Sequence, residues 1–253
     1  MPDITLAIDS RHIGLLTVNR PHVRNALSWD AMRAFAEGVE QAHATPALRA
    51  LIITGAGKAF SAGGDMNDLK DSPTREAGLR LAIIMGDALA RLDALPCPTL
   101  AALNGPALGG GAEIAVTCDL RVMAEDATIG FVQARLGLIP GWGGGQRLMR
   151  VVGYARALEL LTTARVLSAG EAHALGLANQ IAGAGQALVA AHKLAEQIAA
   201  HPPAAVQAAK RVLRYGLTPE TGAALEHERA EFPPLWESDF RHEAMRKFLG
   251  GER

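Results

Sequence analysis

Asn104-Gly-Pro-Ala-Leu-Gly-Gly-Gly-Ala-Glu113 is the stretch on which the fold and the chemistry of this chain turn. It follows Thr99–Leu103, an apolar run that reads as a short buried strand. Asn-Gly-Pro makes the turn, and a helical pattern then runs from Ala107 through Thr117. Glycines 109–111 are costly as mere structure, since Gly in a helix gives up roughly 0.5–1 kcal/mol relative to Ala. Lacking Cβ atoms, they let another group come against the backbone, where first-turn N–H groups are unpaired and carry the positive dipole end. That setting suits an oxyanion. Close packing of the helix on a neighbouring element is the alternative. Glu113 lies one turn beyond Gly110 on the same face, within reach of a carbon next to a carbonyl held at Gly110. It is either a general acid/base or a partnered buried acid.

Outward from this stretch, strand–loop–helix units recur. Ile4–Ile8 and Ile13–Val18 read as a hairpin around Asp9-Ser-Arg11, ended by Asn19-Arg-Pro21. Ser28 caps a helix to about His43, and Leu51–Thr54 is a buried strand broken by Gly55-Ala-Gly57. A second glycine loop, Phe60-Ser-Ala-Gly-Gly-Asp65, sits at a strand end, where open α/β sheets place ligands. A helix from about Thr74 to Leu95 stops at Pro96 and Pro98, and Asp119–Ala124 reads as a strand. The fold class is α/β with a buried sheet. From Gly145 onward the strand signal fades. Ser168-Ala-Gly-Glu171 is a capping box for a short helix that Gly176 closes. Helices are expected around 186–199, 202–215, 219–230 and 238–249. His201-Pro-Pro203 marks the boundary, giving a core over 1–200 and a helical region over 201–253.

Composition narrows the function. A net charge of -1 with scattered Arg and Lys gives no field to gather nucleic acid or an anionic membrane. Cys97 and Cys118 are too far apart for a zinc cluster and read as buried thiols in a reducing compartment. The histidines show no ligand spacing, so no metal is expected. No apolar run has membrane-spanning length, and Met1-Pro-Asp3 does not open a signal peptide, so a soluble cytoplasmic protein is the expectation. Neither phosphate-binding glycine fingerprint nor a nucleophile elbow is present.

The chain resembles the enoyl-CoA hydratase/isomerase, or crotonase, family. The resemblance is carried by Val18-Asn-Arg-Pro with Arg24-Asn-Ala-Leu27, and by Lys58-Ala-Phe-Ser-Ala-Gly-Gly-Asp65. It continues through the 104–113 stretch, Cys118-Asp119 and Leu136-Gly-Leu-Ile-Pro-Gly141. It implies a superhelix of ββα units followed by helices used in a homotrimer or a dimer of trimers. An oxyanion hole is implied at the N–H groups of Gly64 and Gly110, with Glu113 as the first catalytic glutamate. Ala62, Asp65 and Met66 are implied to meet coenzyme A, and Arg24 and Lys58 to face its phosphates. Coenzyme A arrives as part of the acyl-CoA substrate, so no separate cofactor is implied.

One departure stands out. The second glutamate of the hydratases falls on Gln133, and an amide exchanges no proton near neutral pH. Enoyl-CoA hydration or isomerisation is the first expectation. Phe131-Val132 with Gly137-Leu-Ile-Pro-Gly-Trp-Gly-Gly144 also looks like the family's decarboxylases of malonyl-CoA derivatives, and a non-catalytic CoA binder is the third. Trp142 is expected to line the acyl pocket, or else to be a core aromatic.

Overall fold

A computed structural model describes residues 2–215, 229–230, 232–233 and 236–250. Its main sheet has six strands: β1 (Ile4–Ile8), β2 (Ile13–Val18), β3 (Ala50–Gly55), β4 (Thr99–Leu103), β6 (Leu120–Ala124) and β9 (Gln180–Ala182). β1 and β2 form the expected hairpin, and every later neighbour is parallel. Parallel strands covered on both faces read as unbroken apolar runs. β3 is the clearest case: Leu51 and Ile53 face the larger core, while Ala50 and Ile52 face the opposite side. On that side α8 (Ala187–Ala199) lies along the sheet, where Ala191 and Ala195 admit close approach.

The larger core lies between this sheet, α1 (Trp29–His43), α3 (Arg75–Asp93) and α4 (Gly110–Thr117). The caps expected at Ser28 and Ser168 are present, and Thr74 adds a third. Ser28 accepts from the Ala31 N–H, Thr74 from the Ala77 N–H, and Ser168 and Glu171 close the capping box of α7 (Ala169–Ala174).

A second, smaller layer makes the superhelix. It joins β5 (Ala107-Leu108), β7 (Thr128–Gly130) and β8 (Val166–Ser168), extended by parallel bridges Ser61–Ala107 and Leu27–Gly64. After β2, β3, β4 and β6 alike, the chain therefore crosses to this layer before turning into a helix. The reading of Ala107 as helical is corrected here: 107–108 is a strand and the helix starts at Gly110. The reason is Gly109, whose φ of 55° and ψ of −119° no helix contains. β7, β8 and β9, each three residues, also escape the sequence reading. They are too short to show a period.

α2 (Met66–Leu69), α5 (Gly144–Val152) and α6 (Tyr154–Thr163) complete the core region. Beyond His201, α9 (Pro203–Tyr215) is held by Lys210, whose ammonium donates to Asp119 Oδ2 at 2.6 Å and to the Cys97 carbonyl at 3.0 Å. The last helix, α10, runs Asp239–Gly250. The helix expected at 219–230 lies outside the described residues except at Arg229 and Ala230.

Candidate active site

The two glycine loops meet because the second layer places them side by side. In the bridge to Leu27, the Leu27 N–H donates to the Gly63 carbonyl (2.7 Å) and the Asp65 N–H donates to the Leu27 carbonyl (2.8 Å). Gly64 sits between them, so its own N–H points away from Leu27. Ser61 and Ala107 are paired the same way, with the Leu108 N–H donating to the Ser61 carbonyl at 2.9 Å. Gly63, at φ +88°, then passes so near α4 that a Cβ there would fall 2.7 Å from the Gly110 nitrogen. The Gly64 and Gly110 amides are thus neighbours. Among the hydrogen bonds of the described residues, neither donates to a backbone carbonyl. Gly110 opens α4, where the dipole adds positive potential.

Each of the three glycines has its own cause. Gly109 has a backbone that only glycine adopts readily. A Cβ on Gly110 would lie 2.1 Å from Trp142 Cζ3, and one on Gly111 would lie 2.1 Å from the Ser61 carbonyl oxygen. Close packing is therefore real, and it coexists with the paired amides.

Glu113 is 2% exposed. Its Oε2 accepts from the Trp142 N–H (2.8 Å) and the Gly144 N–H (3.0 Å), and its Oε1 accepts from Gln133 Nε2 (2.9 Å). The carboxylate thus occupies the N-terminus of α5, and Gly144 permits it, because a Cβ there would lie 2.4 Å from Glu113 Cγ. The Gln133 amide is oriented by this contact, since an ionised carboxylate only accepts. Its own Oε1 is buried without a hydrogen-bond partner. Gln133 opens a 3-10 turn, Gln133–Leu136, that follows β7 after Phe131 and Val132.

Trp142 is buried, with its ring over Gly110 and its carbonyl accepting from Arg147 Nη1 at 3.0 Å. It is a core aromatic and also a wall beside the paired amides. Ala62, Gly64 and Met66 are half-buried around the same loop, while Arg24 and Lys58 are exposed. Asp65 is used by the fold: Oδ1 caps α2 through the Asn67 N–H (3.2 Å) and Oδ2 pairs with Arg20 (3.1 Å). The sequence reading missed Arg20 and the amides of Trp142 and Gly144. Backbone donors leave no residue-type signal.

Burial pushes the Cys97 thiol up to about 11 and the Cys118 thiol up to about 12, which removes both as nucleophiles near neutral pH. Among the described residues, no group of three or more His, Cys, Asp or Glu side chains is placed to hold a metal ion. No helix there is long and apolar enough to cross a membrane.

The family model for enoyl-CoA hydratase/isomerase matches residues 9–252. The short-chain-enoyl-CoA hydratase of Clostridium acetobutylicum is 34% identical over 94% of this chain and 91% of its own. The ethylmalonyl-CoA decarboxylase of Gallus gallus is also 34% identical, over 96% of this chain and 82% of its own. A crystal structure of an enoyl-CoA hydratase/isomerase from Mycobacterium paratuberculosis superimposes with a TM-score of 0.90 at 29% identity, covering 98% of this chain and 99% of that one. With the ββα superhelix and the paired glycine loops in place, the chain belongs to the enoyl-CoA hydratase/isomerase family.

Proposed function

We propose that the chain acts on an acyl-CoA thioester, with the thioester oxygen between the Gly64 and Gly110 amides and Glu113 as the proton-transferring carboxylate. Charge that develops on that oxygen meets two fixed donors and the α4 dipole, and such a donor contributes ~2.7–4 kcal/mol to an enolate-like transition state. Enoyl-CoA hydration or isomerisation is the reaction this reading places first. The observation that carries it is the contact between Glu113 and Gln133, with Gln133 Oε1 buried and without a partner beside the carboxylate. An orphaned buried acceptor invites a donor. A water held there would donate to Gln133 and lie beside the Glu113 carboxylate. Isomerisation asks less, since Glu113 alone shuttles the proton.

Decarboxylation of a malonyl-CoA derivative is the second reading. It is favoured by the amide at position 133 and by the likeness to the Gallus gallus decarboxylase. It needs the paired amides and no base.

A mass-spectrometric panel separates these readings. The purified protein is incubated with crotonyl-, 3-enoyl- and alkylmalonyl-CoA. Gain of water marks hydration, unchanged mass with a moved double bond marks isomerisation, and loss of carbon dioxide marks decarboxylation. Binding without conversion of any of them would contradict all three and leave a CoA-binding protein.

A further inference from the structure

The described C-terminal residues fold back over the site from their own chain. Phe232 packs on Gly141, where a Cβ would lie 2.5 Å from its ring, and Gly141 directly precedes Trp142. Trp236 packs on Gly78 of α3, donates Nε1–H to the Ser72 carbonyl (2.9 Å), and meets the Phe232 ring at 5.5 Å between centroids. α10 then contacts both α2, which follows Gly64 and Asp65, and the 3-10 turn that begins at Gln133.

Arg241, on the first turn of α10, is 1% exposed. Its guanidinium stacks over the Trp236 ring at 4.1 Å, which fixes its plane. Nε and Nη2 are both buried without a hydrogen-bond partner. Arg121, buried in the main sheet, by contrast gives its donors to the carbonyls of Leu177, Cys118, Ala115 and Asp119. Burial holds the Arg241 pKa below its ordinary value, and no neighbouring charge among the described residues offsets that burial. A buried cation without a counter-charge is unfavourable unless something supplies one.

Nε–H and Nη2–H lie on one edge of the guanidinium and match the two oxygens of a carboxylate. We infer that Arg241 receives a second carboxylate carried by the acyl group, so that the preferred substrates are thioesters of dicarboxylic acids. The inference rests on the acyl-CoA reading above. A phosphate of coenzyme A is the other oxyanion available. Near-complete burial and the contact of α10 with the 3-10 turn Gln133–Leu136, which carries Gln133, favour the acyl carboxylate.

The test measures binding of malonyl- to adipyl-CoA, each against the straight-chain monoacyl-CoA of equal carbon count, and of free coenzyme A. Wild type is expected to bind at least one diacid thioester more tightly than its neutral partner, and to gain more thermal stability from it at equal concentration. Arg241→Met is expected to weaken that diacid by about tenfold to a hundredfold. Its binding of the neutral partner and of coenzyme A, measured on the folded fraction, should change by no more than about twofold. Equal loss for all three ligands assigns Arg241 to a phosphate or to folding and overturns the inference. So does a wild type that binds neutral thioesters with no preference for any diacid, a result that needs no variant and leaves the acyl-CoA reading standing. A wild type that binds no thioester at all removes both.

Discussion

Glu113 Oε2 accepts the Gly144 N–H at 3.0 Å, so the carboxylate proposed to move the proton is also the group that starts helix α5. One side chain thus serves the fold and the proposed chemistry together. The two roles predict different measurements.

Glu113→Gln is expected to lower turnover by roughly a hundredfold or more, because the amide transfers no proton. It should also cost about 1–3 kcal/mol of stability, since charge-assisted bonds to Trp142 and Gly144 are weakened. Steady-state rates alongside a denaturant melt check both. A stability loss with unchanged turnover would reduce Glu113 to a helix cap.

Gln133→Glu would set a second carboxyl 2.9 Å from the first, where the Gln133 amide now donates. Two carboxylates that close share a proton, so the second of the pair's two titration steps lies above the unfolded carboxyl value. Such a pair contributes stability below the unfolded carboxyl range, and that stability is lost as pH rises through the folded value. The variant's melting temperature, compared with wild type, should therefore fall as pH rises above the ordinary carboxyl range. Parallel pH profiles would show that the two side chains are not in contact.

Gly110→Ala tests the paired amides through packing. Its methyl would enter the Trp142 ring at 2.1 Å, and overpacking of this kind costs about 1–3 kcal/mol. Moving Trp142 also moves the Gly110 amide, so activity should fall further than stability alone explains. Calorimetry of the variant with rates on the folded fraction checks this. Full activity per folded molecule would contradict the placement of the amide.

The cysteines give a pH prediction. With thiols raised to about 11 and about 12 by burial, the neutral form is favoured in the folded state. The stability they contribute is present below the unfolded value of 9.0 and is lost as pH rises toward the folded values. Native protein at pH 8 should resist alkylation at both positions and react fully once unfolded. Rapid labelling of either thiol in the native protein would contradict their burial.

Much of this was legible from residues. The hairpin, the Ser28 cap, the helix from about Thr74, the strand at Thr99–Leu103 and the Ser168 capping box each have a local cause, and local causes are written in neighbouring letters. The family resemblance rested on the two glycine loops together with 18–27, Cys118-Asp119 and 136–141, and the family it pointed to is the one the chain belongs to. What escaped is non-local. Strands β7, β8 and β9 of three residues have no period of their own and exist because a neighbour pairs with them. The union of Glu113 with the amides of Trp142 and Gly144 spans separations of 29 and 31 residues. Arg241, as letters, is one arginine among many. Only burial beside Trp236 marks it out.

The most direct measurement of the central claim is hydrogen exchange at the α-carbon of a saturated acyl-CoA in D2O, followed by mass spectrometry. Held between the Gly64 and Gly110 amides, the thioester should form its enolate and take up deuterium from Glu113. Wild type is predicted to exchange faster than the buffer background, with the rate collapsing in Glu113→Gln. A wild type that binds the thioester and leaves its α-hydrogens unexchanged would contradict the account.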